Sequence, residues 1–160
     1  DTCQNNVINP KSFENNAGIH VGSTVLSLDL NGDLIKDLLI GDVTSRNLIA
    51  LINGGTLQSA GMTGQFPDFP TNTVGVDIQT FPAAFYVDVD ADNINDLLVT
   101  PNASNISNNF KATWLYKNNG ININPDFSFE SRGFLQDDMI ERGSNAFPVF
   151  FDYNSDGKPD

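Results

Sequence analysis

The sequence predicts an all-β chain of four-stranded antiparallel sheets that repeat as the blades of a β-propeller. Three observations predict it. A nine-residue acidic loop occurs three times in register. Each loop follows a short strand-like run, and the first two are followed by another. No segment carries a convincing helical period; 136–142 and 58–64 come nearest and are weak. Internal repeats fix the architecture before local structure is assigned. Radial repetition of antiparallel blades leaves only short, protected strand edges.

The second loop is the fullest. Asp88, Asp90, Asp92 and Asp96 occupy positions 1, 3, 5 and 9. Alternate spacing in a tight loop turns such side chains toward a common centre. Four hard oxygen donors suit Ca²⁺, which takes about 6–8 oxygens. The backbone carbonyl of position 7, Ile94, is a further donor. Position 6 calls for a residue that tolerates positive φ, and Asn93 does so. Asp29, Asn31, Asp33 and Asp37 repeat the pattern upstream, with Ile35 at position 7. Asp152, Asn154, Asp156 and Asp160 repeat it downstream, with Gly157 at position 6 and Lys158 at position 7. The first positions lie 59 and 64 residues apart.

The units follow from the loops. Residues 1–21 are polar and Asn-rich and read as a linker or the end of a preceding blade. Residues 22–80 form a blade with strands at 24–28, 38–41 and 47–52. Its fourth strand falls between Gln65 and Gln79, where Pro67 and Pro70 obscure the start. Residues 81–144 form a second blade with strands at 84–87, 97–100, 112–117 and 127–130. Asn118-Asn119-Gly120 ends its third strand as Asn53-Gly54-Gly55 ends that of the first blade. The extra length of the second unit is confined to the turn 101–110. Residues 145–160 begin a third blade with a strand at 148–151, so the chain reads as about two and a half blades of a larger propeller. Trp114, Tyr116, Phe85 and Phe150 lie in strand patterns and read as core rather than as a sugar-stacking platform.

Composition limits the function. Net charge is −12, and the three loops hold ten of the twenty acidic side chains. Three Ca²⁺ ions would halve that charge. The eight Lys and Arg are scattered, which argues against nucleic acid. No run of about 18 apolar residues marks a membrane span. Cys3, the one cysteine, reads as a free thiol, and His20, the one histidine, as structural. Tyr86, Tyr116, Arg46, Arg132 and Arg142 show no spacing that groups them for catalysis. Asn102-Ala103-Ser104 and Asn105-Ile106-Ser107 fit the N-glycosylation triplet but read as a polar loop.

The runs Leu28–Asp33 with Asp37–Gly41, and Val87–Asp92 with Asp96–Val99, resemble FG-GAP/VCBS repeats. Leu115–Gly120 is similar to the strand and turn that follow in them. The resemblance covers about 20–160. It implies a propeller of about seven blades, as in integrin α heads, with Ca²⁺ in the first hairpin of a blade, held by the three loop sets named above. It also implies a secreted or cell-surface protein. Position 6 of the first loop departs from the family, with Leu34 where Gly is usual. With Asn31 in place of an acid, that makes the first loop the weaker expected site. The expected function is a calcium-stabilised binding or adhesion module, with structural Ca²⁺ and a protein or glycan ligand on a cell surface or in the extracellular matrix. The remaining blades are its other partners. The alternative is part of a polysaccharide-degrading enzyme such as a lyase, but no catalytic constellation is visible.

Overall fold

The computed structural model describes residues 22–103, 108, 110–139 and 149–159. Cys3, His20, Arg142, Asp160 and the triplet residues 104–107 lie outside them, as do the proposed first unit 1–21 and residues 145–148. Among the described residues there is no helix. Phe134 to Met139, which overlaps the helical candidate at 136–142, turns without forming one; Asp137 N–H donates to Gly133 O at 2.8 Å.

Eight strands form two antiparallel sheets. The first contains β1 (Ser23–Leu28), β2 (Asp37–Asp42), β3 (Leu48–Asn53) and β4 (Met62–Phe69), in sequence order. The second contains β5 (Pro82–Val87), β6 (Asp96–Pro101), β7 (Trp114–Asn118) and β8 (Phe127–Ser131), again in order. The registers correspond. Leu28 pairs with Asp37 and Val87 with Asp96, so each of the first two acidic loops closes a β-hairpin.

Links at the loop end have equal length in both sheets: 29–36 matches 88–95, and 54–61 matches 119–126. At the other end, link 43–47 contrasts with the much longer 102–113. The surplus read from the sequence therefore falls between β6 and β7.

β4 starts at Met62, earlier than the sequence suggests, and runs through Pro67. It is an edge strand with mostly exposed side chains, so no burial pattern marks its start. Pro67 is tolerated because an edge strand needs only one row of hydrogen bonds. The expected strand at 148–151 is not formed over 149–151, whose side chains are exposed. An extended segment is held only by a neighbouring strand, and none of the described residues supplies one.

The core lies between the sheets. Leu28, Leu39, Leu48 and Ala50 of the first join Leu97, Val99, Trp114, Tyr116 and Phe127 of the second. Phe69 meets Phe127 edge-on, ring centroids 6.0 Å apart. Trp114 and Tyr116 are core residues as expected, but Phe85 and Phe150 are exposed. Phe85 alternates onto the face of β5 turned away from the core, and Phe150 lies in the unpaired segment.

Polar stitches complete the join. Thr24 Oγ1 donates to Pro82 O at 2.7 Å. Asn72 Nδ2 donates to Asp126 Oδ1 at 2.8 Å and to Phe127 O at 3.0 Å. Phe129 N–H donates to Thr73 Oγ1 at 3.1 Å.

Candidate metal centre

The three acidic loops share one backbone path. Position 6 has positive φ in each: 65° at Leu34, 69° at Asn93 and 85° at Gly157. The sequence expectation for that position holds even where the residue is leucine. Position 4 is also left-handed, at Gly32, Ala91 and Ser155. Sequence reasoning missed this, because alanine and serine do not signal such a conformation.

Hydrogen bonds explain the path. The position 1 carboxylate accepts from the position 6 N–H at 2.8 Å in the first loop, 2.9 Å in the second and 2.8 Å in the third. The position 5 carboxylate accepts from the position 7 N–H at 2.8, 2.8 and 2.9 Å. Short acidic side chains thus bend the backbone around themselves, as Asp and Asn do in turns.

The second loop gathers the most carboxylates. Asp88, Asp90 and Asp92 each bring one oxygen to within 4.8 Å of the others. Asp88 is half-buried, while Asp90 and Asp92 are exposed. Their hard oxygens fit a cation such as Ca²⁺. Position 9 stands apart from this group. Asp96 is fully buried and accepts from Asn118 N–H at 2.9 Å and from Lys117 Nζ at 3.1 Å. Asp37 is buried likewise and accepts from Leu30 N–H and Asn53 N–H, each at 2.8 Å.

This gives position 9 a structural role that spacing alone did not reveal. Asn53 returns the bond by donating to Lys36 O at 3.2 Å, and its Oδ1 accepts from Gly55 and Gly61 N–H. Asn118 does the same with Asn95 O, Gly120 N–H and Asp126 N–H. An Asp–Asn clamp therefore ties the acidic loop of each sheet to the following turn.

The surroundings of the loops differ. The first lies beneath the β7–β8 turn of the second sheet, where a Cβ on Gly32 would meet Asn124 Cβ at 3.4 Å. Asp29 is accordingly buried, and Asn31 and Asp33 are exposed. The second loop is braced by Asn122, which accepts from Asn95 N–H at 2.7 Å and donates to Asn93 O at 3.1 Å. Tyr86 OH donates to Asn122 O at 3.2 Å, and burial raises its pKa. Asp152, Asn154 and Asp156 of the third loop are all exposed.

Lys117 was not foreseen as part of the site. Its ammonium lies 2.6 Å from Asp90, 3.6 Å from Asp92 and 3.1 Å from Asp96. The hydrogen bond from Lys117 lowers the Asp90 pKa, and the bond to Asp90 raises that of Lys117. This cation offsets the extra carboxylate of the second loop, so the charge argument for ranking the first loop weaker loses force. Backbone strain does not separate the loops cleanly either, since Leu34 is left-handed in the first and Ala91 in the second, where the first has Gly32. Lys117→Gln is expected to raise calcium affinity at the second loop roughly three- to tenfold, because a competing positive charge is removed. Without calcium the same change should lower stability. Calorimetric calcium titration and melting in chelator check the two effects.

Among the described residues, no helix is long and apolar enough to cross a membrane. Comparison with known proteins finds no family model, curated protein or solved structure that matches this chain.

Proposed function

We propose that the chain is a calcium-stabilised segment of a β-propeller of the FG-GAP/VCBS type. Its work is binding or adhesion outside the cell, with a protein or glycan as ligand. The reading rests on one observation: three loops of the same spacing take the same path, with positive φ at positions 4 and 6. Two sequential four-stranded meanders packed face to face support the blade assignment.

In the second loop Asp88, Asp90 and Asp92 would hold the ion, with the Ile94 carbonyl as a further donor. Asp29, Asn31 and Asp33 would do so in the first loop, and Asp152, Asn154 and Asp156 in the third. Bound Ca²⁺ supplies charge neutralisation and a cross-tie. The chain's own residues set the loop path and, through the clamps, fasten the first two loops to the sheets.

Calcium added to chelator-treated protein is expected to bind and to raise the melting temperature. A ligand at a hundredfold excess over its Kd stabilises by about 2.7 kcal/mol per site. No heat of binding and no rise in melting temperature at millimolar calcium would remove the metal from the proposal. Glycan-array binding that is lost in chelator tests the recognition part.

A further inference from the structure

At the end of the sheets opposite the acidic loops lies a pocket of about 220 Å³. Arg46 reaches it from the β2–β3 link, Asp77 from the β4–β5 link and Lys111 from the β6–β7 link. Arg132 reaches it from just past β8. Three of the chain's eight cations thus line one pocket beside a single carboxylate, in a chain of net charge −12. Such a concentration against the overall charge focuses a positive field where anions would enter.

Both arginines are held in place. Arg46 Nε bonds Asp77 Oδ1 at 2.5 Å, which keeps the Asp77 carboxyl below the usual carboxylate range and takes up much of the Arg46 charge. The Arg132 guanidinium lies over the Trp114 ring, 4.7 Å from its centroid. Trp114 is only 4% exposed, and its Nε1 donates to the Lys111 carbonyl at 3.2 Å. One buried indole therefore fixes the Arg132 guanidinium by its face and the backbone at Lys111 by its N–H. Among the described residues neither Lys111 nor Arg132 makes an ion pair. Phe110 also lines the pocket and is 61% exposed, an apolar surface at the rim. The volume is below the roughly 300 Å³ at which drug-sized sites begin, so the ligand is about one ring in size.

We propose that this pocket binds a small carboxylate carried on a ring, with the carboxylate on Arg132 and Lys111 and the ring against Phe110. A guanidinium fork matches a carboxylate with two parallel hydrogen bonds, and its stacking on Trp114 fixes the fork beforehand. The inference does not depend on calcium in the loops at the far end of the sheets.

Trp114 is the chain's one tryptophan and lies under Arg132, so its fluorescence reports on the pocket. The probes are D-glucuronate and benzoate, which present the carboxylate on a sugar and on an aromatic ring. Acetate and glucose lack the ring and the charge respectively. The full chain is expected to bind at least one ring acid more tightly than acetate, and to bind glucose not at all. The stronger of the two ring acids identifies the source. Arg132→Gln should weaken binding at least about tenfold, the scale of one lost charge-assisted hydrogen bond. Phe110→Ala should reduce the ring acid to the level of acetate. Lys111→Asn removes a charge while retaining tolerance for the positive φ of 52° at that residue. It carries the charge test by itself if circular dichroism shows that Arg132→Gln does not fold. The proposal is overturned if neither ring acid exceeds acetate, or if the charge variant that folds binds as well as the parent. Unchanged binding in Phe110→Ala would overturn the placement of the ring.

Discussion

Gly41→Ala is expected to cost about 3 kcal/mol of stability, the upper part of the range for overpacking a tight interior. The new Cβ would stand 2.5 Å from Thr24 Oγ1 and 2.9 Å from the Pro82 carbonyl carbon. Neither neighbour can withdraw easily. Thr24 is tied to Pro82 by the hydrogen bond that joins β1 to β5, and the other obstacle is backbone. Relief therefore requires the sheets to separate where their first strands meet. Gly64→Ala is the internal control, because its Cβ would lie 3.4 Å from Ile52 Cβ, near ordinary contact. Denaturant melts of both variants check the contrast. Equal losses would show that the junction at Gly41 yields more readily than its geometry implies.

Asp37→Ala should be at least as damaging, with an expected loss of about 3–5 kcal/mol, and the loss should persist in chelator. The substitution strands the buried N–H of Asn53 and the half-buried N–H of Leu30. An unsatisfied buried donor costs about 1–3 kcal/mol. Removing a carboxylate from the interior offsets part of this. Asp37→Asn keeps one acceptor and should cost less. If Asp37 acted only as a calcium ligand, both variants would melt like the parent once the metal is stripped. Denaturant titration with and without chelator separates the two roles.

What the sequence made legible is what depends on short spacing. The loops, the hairpins they close and the left-handed turn at position 6 all follow from residues within nine positions of one another. The Asp37–Asn53 and Asp96–Asn118 clamps do not, since their partners lie 16 and 22 residues apart. The matching turns after Asn53 and Asn118 were visible, but nothing in them says which carboxylate they serve. β4 was misplaced because an exposed edge carries no alternation to read. The cationic pocket was invisible for a further reason: Arg46 and Lys111 come from two links and Arg132 from just past β8, and they meet only when the sheets pack.

The unequal links have a consequence for diversification. At the acidic end, an inserted residue would shift a clamp out of reach, so chain length there is locked. At the opposite end the second sheet accommodates a 102–113 link where the first has only 43–47. Phe110 and Lys111 lie in that longer link, so length variation acts directly on the rim of the pocket. A chain built on this plan can reshape the rim of that pocket by lengthening one link, while the frame that holds the loops stays in register.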